Sequence, residues 1–138
     1  MSWIRRIVSV LLLLCMLITT AYAAVPIGIE PQYTHIFIIS AALSSSGSTL
    51  NCSALGRAKT SNTTTKLKAS LQERSSANDD WHTVISWTDT AQGLFTATIG
   101  ETYTATSGCQ YRLYVTCDIN DADGNNLEHG WKYSHTVP

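Results

Sequence analysis

From about residue 32 onward, short stretches of strand-forming residues alternate with clusters of Gly, Ser, Asn and Asp. The clearest stretch runs from Thr65 to Leu71, where every second residue is Thr, Leu or Ala and the residues between them are Lys or Ser. Successive side chains of a β-strand point to opposite faces, so this period of two predicts a strand with one buried and one wet, charged face. No window shows a capped 3.6-residue periodicity, and the pattern therefore predicts an all-β fold.

Several further stretches have strand character, and turn-forming residues separate them. They cover residues 32–43, 50–58, 81–87, 94–105, 109–119 and 127–137. Stretch 94–105 is either one bent strand or two short ones, because Gly100 and Glu101 interrupt it. About seven or eight short strands at regular spacing are typical of two packed sheets, so we expect an antiparallel β-sandwich, Ig-like or jelly-roll-like.

Residues 1–23 have the three parts of a cleavable secretory signal peptide. Two arginines and no acid precede an apolar run over residues 7–18. Ala21 and Ala23 then place small residues before a cleavage site at Ala24. A membrane anchor, the alternative, needs roughly 20 apolar residues, and this run has only about 12. We therefore expect a secreted, extracellular protein with no membrane span after cleavage.

Cleavage would leave residues 24–138, enough for a single β-sandwich domain with a modest core. Residues 24–31 precede the first strand and are expected to form a flexible N-terminal segment. The whole chain has a formal net charge of −1, and loss of Arg5 and Arg6 makes it −3. This balance is not basic enough to hold a phosphate backbone, so no nucleic-acid partner is expected.

Without its signal peptide the chain keeps three cysteines: Cys52, Cys109 and Cys117. An exported domain favours disulfides, but an odd number leaves one thiol unpaired. Cys109 and Cys117 lie on one predicted strand, roughly 26 Å apart if it is extended, which is too far for a bond. The preferred pair is Cys52 with Cys117, as a staple between strands. The alternative is that all three are reduced, buried apolar residues.

The histidines lack metal-ligand or catalytic spacing; they are His35, His82, His129 and His135. No HExxH, CxxC or GxSxG motif occurs. Residues 118–124 are rich in Asp and Asn, but an EF-hand loop built on them lacks two essential ligands, so a plain Asp-Gly hairpin turn is expected. We expect no metal, no cofactor and no catalytic residue.

Tryptophan and tyrosine are the residues best suited to contact a ligand. Exposed rings of this kind stack on sugar rings or anchor a protein partner. Trp81 and Trp131 lie near predicted strand ends, and Tyr133 shares a strand face with Trp131. Trp87 and Tyr111 are expected to fill the core instead. The candidate binding residues are therefore Trp81, Trp131 and Tyr133.

A series of short motifs follows the cysteine- and alanine-bearing strand at residues 50–58. LQER at residues 71–74 precedes a loop and WHTV at residues 81–84, with Trp87 behind it, and a glycine turn leads into GCQYRL at residues 108–113. Over roughly residues 38–137 the chain resembles an uncharacterised family, of unknown function, of small secreted β-rich proteins from Gram-positive, often gut-dwelling, anaerobes. The resemblance implies a signal-bearing β-sandwich-like domain and supplies no catalytic or binding residues.

These features favour a secreted, non-enzymatic binding module whose partner is a surface glycan or a surface protein, an expectation based on fold-level analogy. One alternative is a small secreted hydrolase, because a carboxylate pair can come from distant strands. The other is a secreted toxin or bacteriocin-like effector.

Overall fold

The computed structural model describes residues 31–138 of the chain. The expected signal peptide, its cleavage site and residues 24–30 lie outside the described residues. Within this part, no helix has the length and apolar character needed to cross a membrane. The strands are β1 (Ile36–Ser46), β2 (Thr49–Ala58), β3 (Thr64–Arg74), β4 (His82–Gln92), β5 (Ala97–Thr104), β6 (Gln110–Asn120) and β7 (Asn126–Tyr133).

The strands form two antiparallel sheets, one of three strands in the order β1-β2-β5 and one of four in the order β4-β3-β6-β7. Two hairpins, β1–β2 and β3–β4, come first, and the chain then places β5 beside β2 and β6 beside β3. Buried residues from both sheets form one core. The predicted antiparallel β-sandwich is confirmed, and its seven strands match the Ig-like type better than an eight-stranded jelly roll.

Much of the core is built from alternate residues of β2, β3, β5 and β6. On β3, Leu67, Ala69 and Leu71 are buried, whereas Lys66 and Lys68 are exposed, as the period of two predicts. Burial of a Leu side chain stabilises a fold by about 1.5–3 kcal/mol relative to leaving it in water. The stretch around Gly100 is one continuous strand, β5, so the single-strand alternative holds.

At Gly56 on β2 the two sheets approach each other closely. A Cβ built on Gly56 would lie 2.9 Å from Sγ of Cys117 and 3.0 Å from Cδ1 of Leu67, both on the opposite sheet. Real Cβ atoms do not tolerate such contacts, because protein cores are close-packed. The small side chains of β2 therefore set how closely the sheets pack.

The sequence pattern predicts one shared face for four residues: Trp81, Thr83, Ile85 and Trp87. This prediction is wrong because the pairing of β3 with β4 shifts by one residue. Leu71 pairs with Ile85, but the next residue, Gln72, pairs with Thr83, so Val84 is the extra residue of a β-bulge. A one-residue shift reverses the direction of every side chain beyond it. Ile85 thus lies on the core side, whereas Thr83 lies on the outer side.

Tyr111 begins the buried series of β6 and is fully buried, as the sequence predicts. Its hydroxyl donates to Oε2 of Glu73 and accepts the backbone N–H of Thr106 at 2.7 Å. Burial and the bond to Glu73 raise the pKa of Tyr111 above its ordinary value. A tyrosine at this point of the chain that bonds back to the preceding turn is the tyrosine corner of Ig-like sandwiches.

Glu128 of β7 fastens the chain that enters β1. Its Oε1 accepts the N–H of Thr34 at 2.7 Å, and its Oε2 accepts those of His35 at 2.6 Å and Ile36 at 2.7 Å. Burial alone would raise the pKa of Glu128, but the three N–H donors and the nearby His35 outweigh it and hold the pKa below the ordinary value of 4.5. Thr34 and His35, which directly precede β1, are therefore bound to β7, the edge strand of the other sheet.

Candidate ligand-binding face

The outer side of the four-stranded sheet carries a cluster of aromatic and arginine side chains. Even-numbered residues of β6 point to this side, because the odd-numbered ones from Tyr111 to Ile119 face the core. We call the cluster the aromatic face. Its members are Arg74, Trp81, Arg112, Tyr114, Trp131 and Tyr133.

Two guanidinium groups link the rings of the aromatic face. Arg74 lies 4.4 Å from the ring centroid of Trp81, and Arg112 lies 4.5 Å from the same ring. Arg112 also lies 4.2 Å from the ring centroid of Tyr133. Contacts of this kind contribute about 0.5–2 kcal/mol each, depending on exposure. Arg112 thus joins a ring from the start of β4 to a ring on β7, across the sheet.

The second half of the cluster consists of rings on β6 and β7. Tyr114 and Tyr133 are directly paired across the two strands, and their rings stack with centroids 4.7 Å apart. Trp131 meets Tyr133 edge-on at 5.6 Å. Offset and edge-on pairs are the arrangements that aromatic quadrupoles prefer. The face is therefore a connected series of rings on a rigid sheet.

The structure brings together the three residues that the sequence predicts, but it does not make them equivalent. Trp131 is 53% exposed and Tyr133 is 40% exposed. Trp81 is only half-buried by area, yet two guanidinium groups occupy its ring. Trp131 and Tyr133 are thus the most exposed rings of the aromatic face, Tyr133 in spite of its contacts with Arg112 and Tyr114. Trp81 chiefly positions Arg112.

The sequence did not single out Arg74, Arg112 or Tyr114. The alternation in β6 does predict that Arg112 and Tyr114 share a face, opposite to Tyr111. It does not reveal that β7 lies next to β6, or that a bulge turns Trp81 towards Arg112. Those two facts of register, rather than any local motif, assemble the cluster.

Short hydroxyl-bearing side chains surround the rings. Ser70 of β3 shares a hydrogen bond of 2.8 Å with the serine opposite it on β4. In the next row, Lys68 lies between Thr88 of β4 and Thr116 of β6, and Thr116 lies opposite Trp131. Ser70 is buried, so Lys68, Thr88 and Thr116 are the groups that offer hydrogen bonds to a ligand beside the exposed rings.

Two lysines of β3, Lys66 and Lys68, lie near the rings in different charge environments. Lys66 lies opposite Asp118, whose Oδ1 is 2.7 Å from Nδ1 of His129 on the adjacent strand. Lys68, one row nearer the rings, has no carboxylate within ion-pair distance among residues 31–138. Its neighbours on both sides are threonines.

The three cysteines are free thiols, so the preferred Cys52–Cys117 bond is not formed. Sγ of Cys117 lies against Gly56, and Cys52 is four residues from Gly56 on the same strand, about 13 Å away. A disulfide requires Cα atoms within about 7 Å. Burial, with a smaller effect of nearby carboxylates, raises the pKa of Cys52 to about 11 and that of Cys117 to about 12. Both are protonated core residues, whereas Cys109 is half-buried.

Three histidines are dispersed, each beside a different carboxylate. The pairs are His35 with Glu128, His82 with Glu73, and His129 with Asp118. Glu73 also bonds Tyr111, but the full burial of Tyr111 keeps it from any substrate. No three His, Cys, Asp or Glu side chains of the described chain are grouped to hold a metal ion.

The Asp-rich turn between β6 and β7 is closed by its own side chain. Oδ1 of Asp121 accepts the N–H groups of Asp123 at 3.0 Å and Asn125 at 2.8 Å, and Oδ2 accepts the Asn125 side chain at 3.0 Å. These bonds, led by that of the Asn125 side chain, lower the pKa of Asp121. Gly124 has φ of +88°, which other residues rarely adopt. This is the structure of a plain hairpin turn.

Exposed rings also occur away from the aromatic face. Phe37 on β1 has Arg57 stacked 4.1 Å from its centroid, on the outer side of the three-stranded sheet. Phe95, in the loop before β5, is 78% exposed. These side chains form one cation–π pair and one isolated ring, so they serve as internal controls for the aromatic face.

No model of a protein family matches this chain, and no curated protein is significantly similar to it. Its function is therefore inferred from the geometry of the aromatic face.

Proposed function

We propose that this chain is a secreted, non-enzymatic binding module that holds a glycan on its aromatic face. The observation that carries the proposal is the connected series of rings that ends in two exposed ones, Trp131 and Tyr133. Single exposed apolar side chains are ordinary on protein surfaces, but clusters of large ones mark interaction sites. Secretion itself is inferred from the pattern of residues 1–23.

The groups around the rings favour a glycan over a protein. A sugar presents a C–H face to an aromatic ring and hydroxyls to Thr, Ser and Lys side chains. The core of a protein–protein interface, by contrast, is apolar and depleted in lysine, and a standard interface buries about 800 Å² on each partner. Lys68 lies on β3, an inner strand of the sheet, in the row that contains Trp131.

The aromatic face is also held in one arrangement before any ligand arrives. Arg112 contacts the rings of both Trp81 and Tyr133, and Tyr114 stacks on Tyr133 across the β6–β7 pair. Ordering a mobile side chain on binding costs about 0.5–1.5 kcal/mol, so rings already fixed by their neighbours avoid most of that cost.

The proposal predicts that removal of the exposed rings weakens glycan binding. The Trp131→Ala/Tyr133→Ala double variant should bind its polysaccharide about tenfold more weakly, because each stacked ring contributes about 0.5–1.5 kcal/mol. Affinity electrophoresis of the purified protein against a panel of soluble neutral and acidic polysaccharides measures the change.

The matched control is Phe95→Ala, which removes a more exposed ring outside the aromatic face. It should leave binding unchanged. Thermal unfolding of each variant shows whether the fold is intact. Equal binding by the folded double variant and the wild type would reject the proposal, as would an equal loss in Phe95→Ala.

A further inference from the structure

The rows that hold the aromatic face carry positive charge and no acid. A row here consists of residues that are paired across neighbouring strands. The four rows start from every second residue of β3 between Arg74 and Lys68, and their β6 members run from Gln110 to Thr116. Their β7 members are Tyr133 and Trp131. These rows contain Lys68, Arg74 and Arg112, and none of their residues is Asp or Glu.

The outward-facing acid in the adjoining row is already balanced. Asp118 lies one row beyond Lys68, opposite Lys66, and its Oδ1 is 2.7 Å from Nδ1 of His129. The remaining described acids lie elsewhere: Glu73, Asp89 and Glu128 on the core side or sheet edges, Asp79 and Asp80 in the β3–β4 loop, Glu101 on the other sheet, and Asp121 and Asp123 in the β6–β7 turn.

Both arginines are positioned by neutral partners. Nε of Arg112 donates to Oε1 of Gln72 at 2.8 Å, and Nε of Arg74 donates to Oε1 of Gln110 at 2.8 Å. Glutamine fixes the guanidinium plane as a carboxylate would, but it leaves the positive charge uncompensated. A protein whose whole chain has a net charge of −1 thus keeps unbalanced cations beside its exposed rings.

We infer that the ligand of the aromatic face is an anionic glycan, one whose sugars carry carboxylate or sulfate groups. This inference rests on the proposed glycan binding. The sugar rings pack on Trp131 and Tyr133, and the acidic groups bind the guanidinium of Arg112 and the ammonium of Lys68. Lys68 and Trp131 are two strands apart, about 10 Å, and Arg112 lies about 13 Å from Thr116 along β6, so more than one sugar unit fits.

The test compares polymers that differ only in charge. Affinity electrophoresis measures how tightly the purified protein binds two pairs of polymers. One pair is polygalacturonate and its fully methyl-esterified form, and the other is dextran sulfate and dextran. We expect the charged member of at least one pair to bind about tenfold or more tightly and to lose affinity as salt rises. The two pairs distinguish carboxylate from sulfate as the recognised group.

Lys68→Gln tests whether the preference for the charged polymer arises at Lys68. The substitution suits the test because Lys68 is exposed and bonds no described residue. Its control is Arg57→Gln, which removes the same charge from the outer side of the other sheet. Lys68→Gln should weaken binding of the charged polymer several-fold, and Arg57→Gln should not.

Equal binding of the charged and neutral members, still abolished by Trp131→Ala/Tyr133→Ala, would overturn the anionic ligand and leave glycan binding intact. Equal effects of Lys68→Gln and Arg57→Gln on binding would also overturn the anionic ligand. The polymer would then respond to the net charge of the protein and not to the cations beside the aromatic face. If the protein binds none of the four polymers, both proposals are overturned. This holds also if the protein then binds an acidic protein surface instead.

Discussion

Arg112 is the residue on which the aromatic face depends. Its guanidinium lies between two rings that are far apart in sequence, Trp81 and Tyr133, and Gln72 fixes its plane. A lysine would supply the same charge without the flat surface that stacks on both rings. The residue therefore combines two roles: it fixes the rings, and it leaves a cation beside them.

Gly56 is predicted to be a core position that does not tolerate an added methyl group. Gly56→Ala should destabilise the protein by about 1–3 kcal/mol, because the added methyl group overlaps Cys117 and Leu67 and the sheets must shift. Urea unfolding followed by tryptophan fluorescence measures the free energy of unfolding.

Gly100→Ala is the matched control, since Gly100 also lies in a strand but a Cβ there meets no atom within 4 Å. It should be neutral or slightly stabilising, because alanine restricts the unfolded chain more than glycine does. A Gly56→Ala variant as stable as Gly100→Ala would contradict the close approach of the sheets at Gly56.

At the scale of elements, Glu128 connects the entry of β1 to β7. Glu128→Gln should lower the free energy of unfolding at pH 7 by about 1–2 kcal/mol, since the amide has one acceptor oxygen for three N–H donors and the site is partly solvated. The folded pKa of Glu128 is lowered, so its stabilisation is complete above the ordinary value of 4.5 and is lost as pH falls below it. Unfolding in urea at pH 7, 5 and 3.5 follows this loss.

Glu101→Gln provides the comparison, because Glu101 is exposed on β5. The stability gap between wild type and Glu128→Gln should narrow at pH 3.5, and Glu101→Gln should show no such gap. A gap that stays constant from pH 7 to 3.5 would mean that the charge of Glu128 does not hold the chain entering β1.

The strands differ in how well sequence alone predicts them. β6 alternates between buried and outward residues, and β3 does so from Thr65 to Ala69, so their faces are evident from the period of two. β4 is not predictable in the same way, because its bulge depends on pairing with β3 and leaves no local mark at Val84. The bulge sets the side of the sheet on which Trp81 lies, and with it the contacts of Trp81 with Arg74 and Arg112.

At the scale of the molecule, an antiparallel sandwich follows from the number and spacing of strands, but the order of strands does not. The pairing of β6 with β7 places Tyr133 against Tyr114, and these residues are nineteen positions apart in the sequence. Net charge is equally uninformative here. A chain of net charge −1 has cations beside its aromatic face because its described acids lie on edges, in loops, towards the core or on the other sheet. Asp118 is the exception, and it lies opposite Lys66 and His129.

Ligand binding on the aromatic face can be observed residue by residue. An NMR titration of ¹⁵N-labelled protein with oligomers of whichever charged polymer binds, polygalacturonate or dextran sulfate, maps the amide and indole shifts. We predict that the shifted signals cluster at Arg112, Tyr114, Trp131 and Tyr133 and at Lys68 beside them, while those of Phe37, Arg57 and Phe95 stay in place. Shifts centred on Phe37 and Arg57, or an absence of shifts at saturating oligomer, would contradict it.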